Sequence, residues 1–85
     1  MSSWYVYLLR CADDSLYCGV TTELQRRVKE HNFSNKGARY TRARRPVSLA
    51  YSEKVSSRQQ ACRREAEIKK LSRKQKLKLI NPADS

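Results

Sequence analysis

Apolar positions along the chain fall into two kinds of pattern. From Trp4 to Arg10 (WYVYLLR) they run almost unbroken and are rich in aromatic and β-branched residues, which suits a strand better than a helix. Cys11-Ala12-Asp13-Asp14-Ser15 supplies turn residues, and Leu16 to Val20 (LYCGV) reads as the returning strand of a hairpin. Thr22 followed by Gln25 is a capping box, predicting a helix from about Glu23 to His31 or Asn32 with an apolar stripe at Leu24 and Val28. Residues 32–46 have no apolar period and end at Pro46, so they predict a long basic loop. Val47 to Tyr51 alternates with period two and predicts a third strand. Ser57 with Gln60 is a second capping box, opening a helix to about Leu71. Ser72 caps a short basic helix to about Ile80, where Asn81-Pro82 stops it.

The order β-β-α-β-α-α, with no internal repeat, predicts an α+β fold: a three-stranded antiparallel sheet flanked by helices. A chain of 85 residues has room for one domain, expected over 1–85 with its core at about 4–80.

Charge changes the picture more than composition does. Lys and Arg number 19 against 8 Asp and Glu, a net charge of +11. Residues 1–35 are neutral, with Arg10, Arg26, Arg27 and Lys29 matched by Asp13, Asp14, Glu23 and Glu30. Between 36 and 45 stand Lys36, Arg39, Arg42, Arg44 and Arg45 with no acid. Between 58 and 78 nine basic residues, among them Arg73, Lys74 and Lys76, face only Glu65 and Glu67. Roughly 2–8 net charges suffice for solubility, so two basic blocks flanking a neutral half point to a polyanion, nucleic acid before lipid. No apolar run is long enough to span a membrane. No secretory signal is visible, and three cysteines without CxxC spacing read as reduced thiols, so a cytoplasmic location is expected.

Candidate chemistry follows from parity. Tyr5, Tyr7 and Leu9 share one face of the first strand, and Tyr17 shares a face with Gly19 on the second. Two tyrosines on adjacent strands can converge there, with Gly19 leaving space, although tyrosine is also an ordinary strand residue. Arg27 and His31 are one turn apart at the edge of the first helix's buried stripe. Glu65 lies on a stripe with Ala61 and Ile68, so it points toward the body of the protein. An inward acid there needs an arginine or a metal as partner.

Taken in order, Tyr5-Val6-Tyr7, Tyr17-Cys18-Gly19, Arg27, His31 and Glu65 resemble the GIY-YIG nuclease family, above all its small stand-alone bacterial members. The resemblance runs from Trp4 to about Ile80 and includes Lys36-Gly37-Ala38-Arg39, Arg45-Pro46 and Ile68-Lys69-Lys70-Leu71. It implies a metal-dependent nuclease acting on DNA, structure-selective or non-specific, with relatives among enzymes of branched DNA in repair and recombination. It implies a catalytic set of Tyr7, Tyr17, Arg27, His31 and Glu65, with Glu65 holding Mg²⁺ or Mn²⁺. Tyr7 would serve as general base, and at an ordinary pKa of about 10 only about 0.1% is phenolate at neutral pH. Arg27, His31 and the metal's waters are therefore expected to depress that pKa or relay the proton. Lys36, Arg39, Arg42, Arg44, Arg45, Arg73, Lys74 and Lys76 would hold the nucleic-acid backbone, DNA ahead of RNA, without reading sequence. A monomer or weak dimer is expected. The chain departs from the pattern at Val6, at Cys18, and at Leu77, where many family nucleases carry asparagine. The alternative is a nucleic-acid-binding module on the same scaffold without catalysis.

Overall fold

A computed structural model describes residues 3–82, so both ends of the expected 1–85 domain lie outside the described residues. The elements are β1 (Trp4–Arg10), β2 (Leu16–Thr21), α1 (Leu24–Phe33), a single turn α2 (Arg39–Arg42), β3 (Ser48–Val55), α3 (Arg58–Lys69) and α4 (Arg73–Ile80). The strands form one antiparallel sheet in the order β2-β1-β3. Both faces of β1 are buried because helices cover both. Val6 and Leu8 pack with Cys18, Ala61 and Ile68 on the α3–α4 side. Tyr7 and Leu9 pack with Cys11, Val47, Leu24 and Val28 on the α1 side. That two-sided burial explains why β1 reads as a continuous apolar run rather than an alternating one.

Three expectations need correction. Thr22 and Gln25 form no capping box; α1 begins after Glu23, whose N–H is taken by the Thr21 hydroxyl at 3.1 Å. The third strand continues four residues past Tyr51, to Val55. β3 is an edge strand, so Ser52 and Lys54 can face water while Glu53 pairs with Arg64 of α3 at 2.9 Å. The basic segment 32–46 is not a simple loop: it contains α2 and the fully buried Thr41. The other two caps form where expected. Ser57 accepts from the Gln60 N–H, and Ser72 with Gln75 makes a full capping box.

Arg45 closes the C-terminal end of α1. Its guanidinium donates to the carbonyl oxygens of His31 at 2.5 Å and Ser34 at 2.6 Å. Asn32 exchanges two hydrogen bonds with the backbone of Val47, at 2.9 and 2.7 Å. Together they pin the helix end to the start of β3. Gly37 is buried against the same end. A Cβ there would lie 2.7 Å from the Glu30 carbonyl oxygen and 2.8 Å from the His31 Cα, so only glycine lets the segment cross the helix this closely.

Candidate active site

Antiparallel pairing sets Tyr7 opposite Gly19 and Leu9 opposite Tyr17, which brings both tyrosines to the α1 face. The Tyr7 ring lies over Gly19; a Cβ at that position would sit 2.6 Å from the Tyr7 Cζ. The close approach directs the phenol toward α1, where His31 waits. Leu24, Val28 and His31 are spaced i, i+4, i+7, so His31 completes the buried stripe of α1 instead of lying at its edge.

His31 is completely buried. Its Nε2 is 2.9 Å from the Tyr7 hydroxyl and its Nδ1 is 2.7 Å from the Thr41 Oγ1. The hydrogen-bond network assigns the tautomer. Thr41 has one hydroxyl proton, and the Ala38 carbonyl oxygen takes it at 2.9 Å. Thr41 therefore accepts from Nδ1–H, which leaves Nε2 to accept from Tyr7. The Ala38 N–H approaches Nδ1 at 3.4 Å, too far to compete strongly. A directed chain results: Tyr7 hydroxyl to imidazole, imidazole to Thr41, Thr41 to the Ala38 carbonyl.

The imidazole is neutral in this setting. Burial, with the nearby Arg27 and Arg45 charges adding and Glu30 opposing, lowers the His31 pKa to about 4. Burial also raises the Tyr7 pKa to about 12, against the pull of the adjacent Arg27. This corrects the expectation of a depressed phenol: desolvation outweighs the guanidinium, and Tyr7 stays protonated. Its hydroxyl is directed at His31 Nε2.

Arg27 stands beside this pair, about a quarter exposed, held through Nη1 by Glu30 at 2.9 Å and the Lys36 carbonyl oxygen at 2.8 Å. The Tyr17 ring meets His31 edge-on at 5.4 Å and stacks on Tyr40 at 5.8 Å. The Arg44 guanidinium lies over the Tyr40 ring, 3.8 Å from its centroid. Four expected residues, Tyr7, Tyr17, Arg27 and His31, thus come together. Thr41 and Tyr40 join them unannounced by the sequence, because α2 has no apolar period to mark which of its side chains turns inward.

Glu65 does not join that cluster. It projects from α3, on the opposite face of the sheet, with Lys69 Nζ at 3.5 Å and a quarter of its side chain exposed. Its closest link to the cluster is electrostatic. The Cys18 thiol is pushed up to about 11 by burial and then by the Glu65 charge. Cys18 and Tyr17 are neighbours on β2 and point to opposite faces, and β2 is an edge strand. The two halves of the expected set are therefore separated by the free edge of β2. Among the described residues no group of three or more His, Cys, Asp or Glu side chains could hold a metal ion.

The expected backbone-binding residues divide by what they already touch. Lys36, Arg39, Arg42 and Lys74 are exposed and make no ion pair among the described residues. Arg44 pairs with Asp13 at 2.9 Å and Arg73 with Asp14 at 3.1 Å. Lys76 is half-buried, and its charge acts on Cys18. Arg45 is committed to carbonyl groups of the fold, as described above. It acts as a helix cap, because a guanidinium fork satisfies several last-turn carbonyls at once.

A tyrosine pair on a β-hairpin and an arginine and histidine one turn apart on the next helix form one cluster, with a carboxylate on a later helix set apart from it across the sheet. Residues 3–78 match the family model of the GIY-YIG catalytic domain. The chain belongs to the GIY-YIG family. It is 50% identical over 82 residues to a UPF0213 protein of Desulfotalea psychrophila, covering 96% of this chain and 74% of that protein. It is 54% identical over 80 residues to a UPF0213 protein of Staphylococcus haemolyticus, covering 94% and 96%. The solution NMR structure of a UPF0213 protein from Bacillus halodurans matches with a TM-score of 0.60 at 44% identity, covering 95% of this chain and 85% of that one. GIY-YIG is a nuclease-type family, and the sheet-and-helix architecture agrees with it. Among the described residues no helix is long and apolar enough to cross a membrane.

Proposed function

We propose that this GIY-YIG domain hydrolyses phosphodiester bonds in DNA, without reading sequence, in the service of repair or recombination. The observation that carries the reading is the buried Tyr7–His31–Thr41 chain beside Arg27. A neutral imidazole whose acceptor nitrogen faces a phenol is of use to a reaction that must move a proton. A purely structural core would satisfy that position with apolar groups at lower cost. Tyr7 would pass its proton to His31 Nε2 as it takes one from the attacking water. Arg27 would pair with the scissile phosphate, using the guanidinium nitrogens that Glu30 and Lys36 leave unoccupied. Tyr17 would orient water or phosphate at the mouth of the cluster. Lys36, Arg39, Arg42 and Lys74 would hold the flanking backbone.

Mg²⁺ or Mn²⁺ suits the remaining donor. Such ions take one or two carboxylates and keep several waters, and Glu65 is a partly exposed carboxylate whose sole ion-pair partner among the described residues is 3.5 Å away. When bound, the ion supplies charge neutralisation for the transition state and the leaving oxygen.

Labelled single-stranded, duplex and branched DNA, incubated with Mg²⁺ or with EDTA, test the reading. Wild-type protein should cut in Mg²⁺ alone; Tyr7→Phe and Glu65→Gln should bind but not cut. One observation favours the rival, a binding module without catalysis: Tyr7 is held as a neutral phenol and Leu77 stands where many family nucleases have asparagine. Binding without cleavage of any substrate by the wild type would decide for that rival.

A further inference from the structure

Phe33, the sole phenylalanine of the chain, is 85% exposed at the last position of α1. It adjoins a surface depression of about 660 Å³ whose other walls include Arg26, Lys29, Glu30 and Lys36. Glu30, the acid among them, is already neutralised by Arg26 at 3.4 Å and Arg27 at 2.9 Å. Lys29 and Lys36 make no ion pair among the described residues. The ring therefore stands in a net positive hollow, with its faces free. It is also rigidly mounted. Asn32 before it is tied to Val47, and Ser34 after it receives the Arg45 guanidinium. Fixing the backbone on both sides reduces the entropy lost when a partner lies on the ring.

We infer that Phe33 is a stacking platform for an unpaired base of single-stranded DNA, with Lys29 and Lys36 on the adjoining phosphates. An aromatic face flanked by cations is the chemistry that binds single strands, whereas bases in a duplex offer no free face. A second copy of this chain is a poor occupant. Two such hollows brought together would oppose Arg26, Lys29 and Lys36 to their own copies, on chains that each carry +11. The hollow shares Glu30 with Arg27, so the stacked strand would lie next to the proposed scissile phosphate. Resting on the proposed nuclease reading, this names its substrate class: DNA with an unpaired segment beside the cut.

The experiment measures fluorescence anisotropy of a labelled oligo-dT and of a duplex of equal length, in EDTA, with wild type, Phe33→Ala and Phe33→Trp. The alanine variant should lose about tenfold or more in affinity for oligo-dT and change little toward duplex. The tryptophan variant should retain affinity, with its added fluorescence quenched on binding. Melting temperatures should match, because the ring is outside the core. Equal affinity of wild type and Phe33→Ala for oligo-dT overturns the inference, as does an equal loss on both DNAs. Sedimentation of the wild type as a dimer that Phe33→Ala disperses would assign the face to a second copy. Because binding is read without cleavage, selective loss in a protein that never cuts would sink the nuclease reading and leave the platform standing.

Discussion

The single histidine makes the buried chain open to a clean thermodynamic test. His31 has a native pKa of about 4 against its ordinary 6.5. A histidine whose pKa falls on folding binds fewer protons in the native state than in the unfolded chain. Acid therefore favours unfolding, beginning below the unfolded pKa and levelling off below the native one. The complete effect is about 3 kcal/mol, at 1.36 kcal/mol per unit. Between about pH 7.5 and about pH 5 the same two values give a loss of about 2 kcal/mol. Among the described residues three carboxyl groups also have lowered native pKa values: Asp13 through Ser15, Glu30 through Arg27 and Glu53 through Arg64. Their stabilisation is present above the unfolded carboxylate range and is lost as pH falls through the native values, mostly below this window.

Urea denaturation at several pH values in that range, on wild type and His31→Gln, measures the slope. Wild type should lose about 2 kcal/mol and the variant little. In parallel, the ring-proton signals of the one imidazole should not titrate above about pH 5 in the native protein. An equal pH slope in both proteins, or a native imidazole that titrates near 6.5, would refute the buried neutral assignment. The NMR arm needs no variant and so survives a failure of His31→Gln to fold.

Three further outcomes test the framework of the site and the surface beside it. Gly19→Ala should cost about 1–3 kcal/mol in urea denaturation, because the new Cβ displaces the Tyr7 ring from its hydrogen bond. Arg45→Ala should lower the melting temperature by removing a charged donor to two carbonyls, at about 1–3 kcal/mol. Arg39→Ala with Arg42→Ala should instead leave melting nearly unchanged and weaken DNA binding across sequences in a titration.

The elements are legible where composition or a helix cap marks them. β1 and β2 show themselves by aromatic and β-branched residues, and α3 and α4 by serine caps that the structure confirms. The outer half of β3 carries no such mark because an edge strand need not alternate apolar residues; it is stabilised by Arg64, which donates to Glu53, and by Tyr51 on that same carboxylate. The tyrosine, arginine and histidine of the site were legible by spacing and resemblance. Thr41 was not, because its role depends on a segment folding back over α1 at Gly37, a long-range fact with no local signature. The contrast between Arg45 and its neighbours was hidden for the same reason. A basic residue reads alike in sequence whether it meets phosphate or a helix end.

The electrostatics of the site bear on how the proposed reaction would be timed. After burial, the Arg27 charge is the largest influence holding the His31 pKa down, and Arg27 is also the residue proposed to meet phosphate. A phosphate paired with Arg27 would offset that charge, and the imidazole would become more basic as substrate arrives. The same pairing would weaken the pull that Arg27 exerts on the Tyr7 phenol, so a freestanding phenolate would become harder to form. Both changes act in one direction. They favour transfer of the Tyr7 proton to His31 in step with attack by water over prior ionisation of Tyr7. Burial works against a tyrosine that must ionise alone, whereas a relay needs only the short, directed Tyr7–His31 bond that Gly19 and Thr41 hold in place.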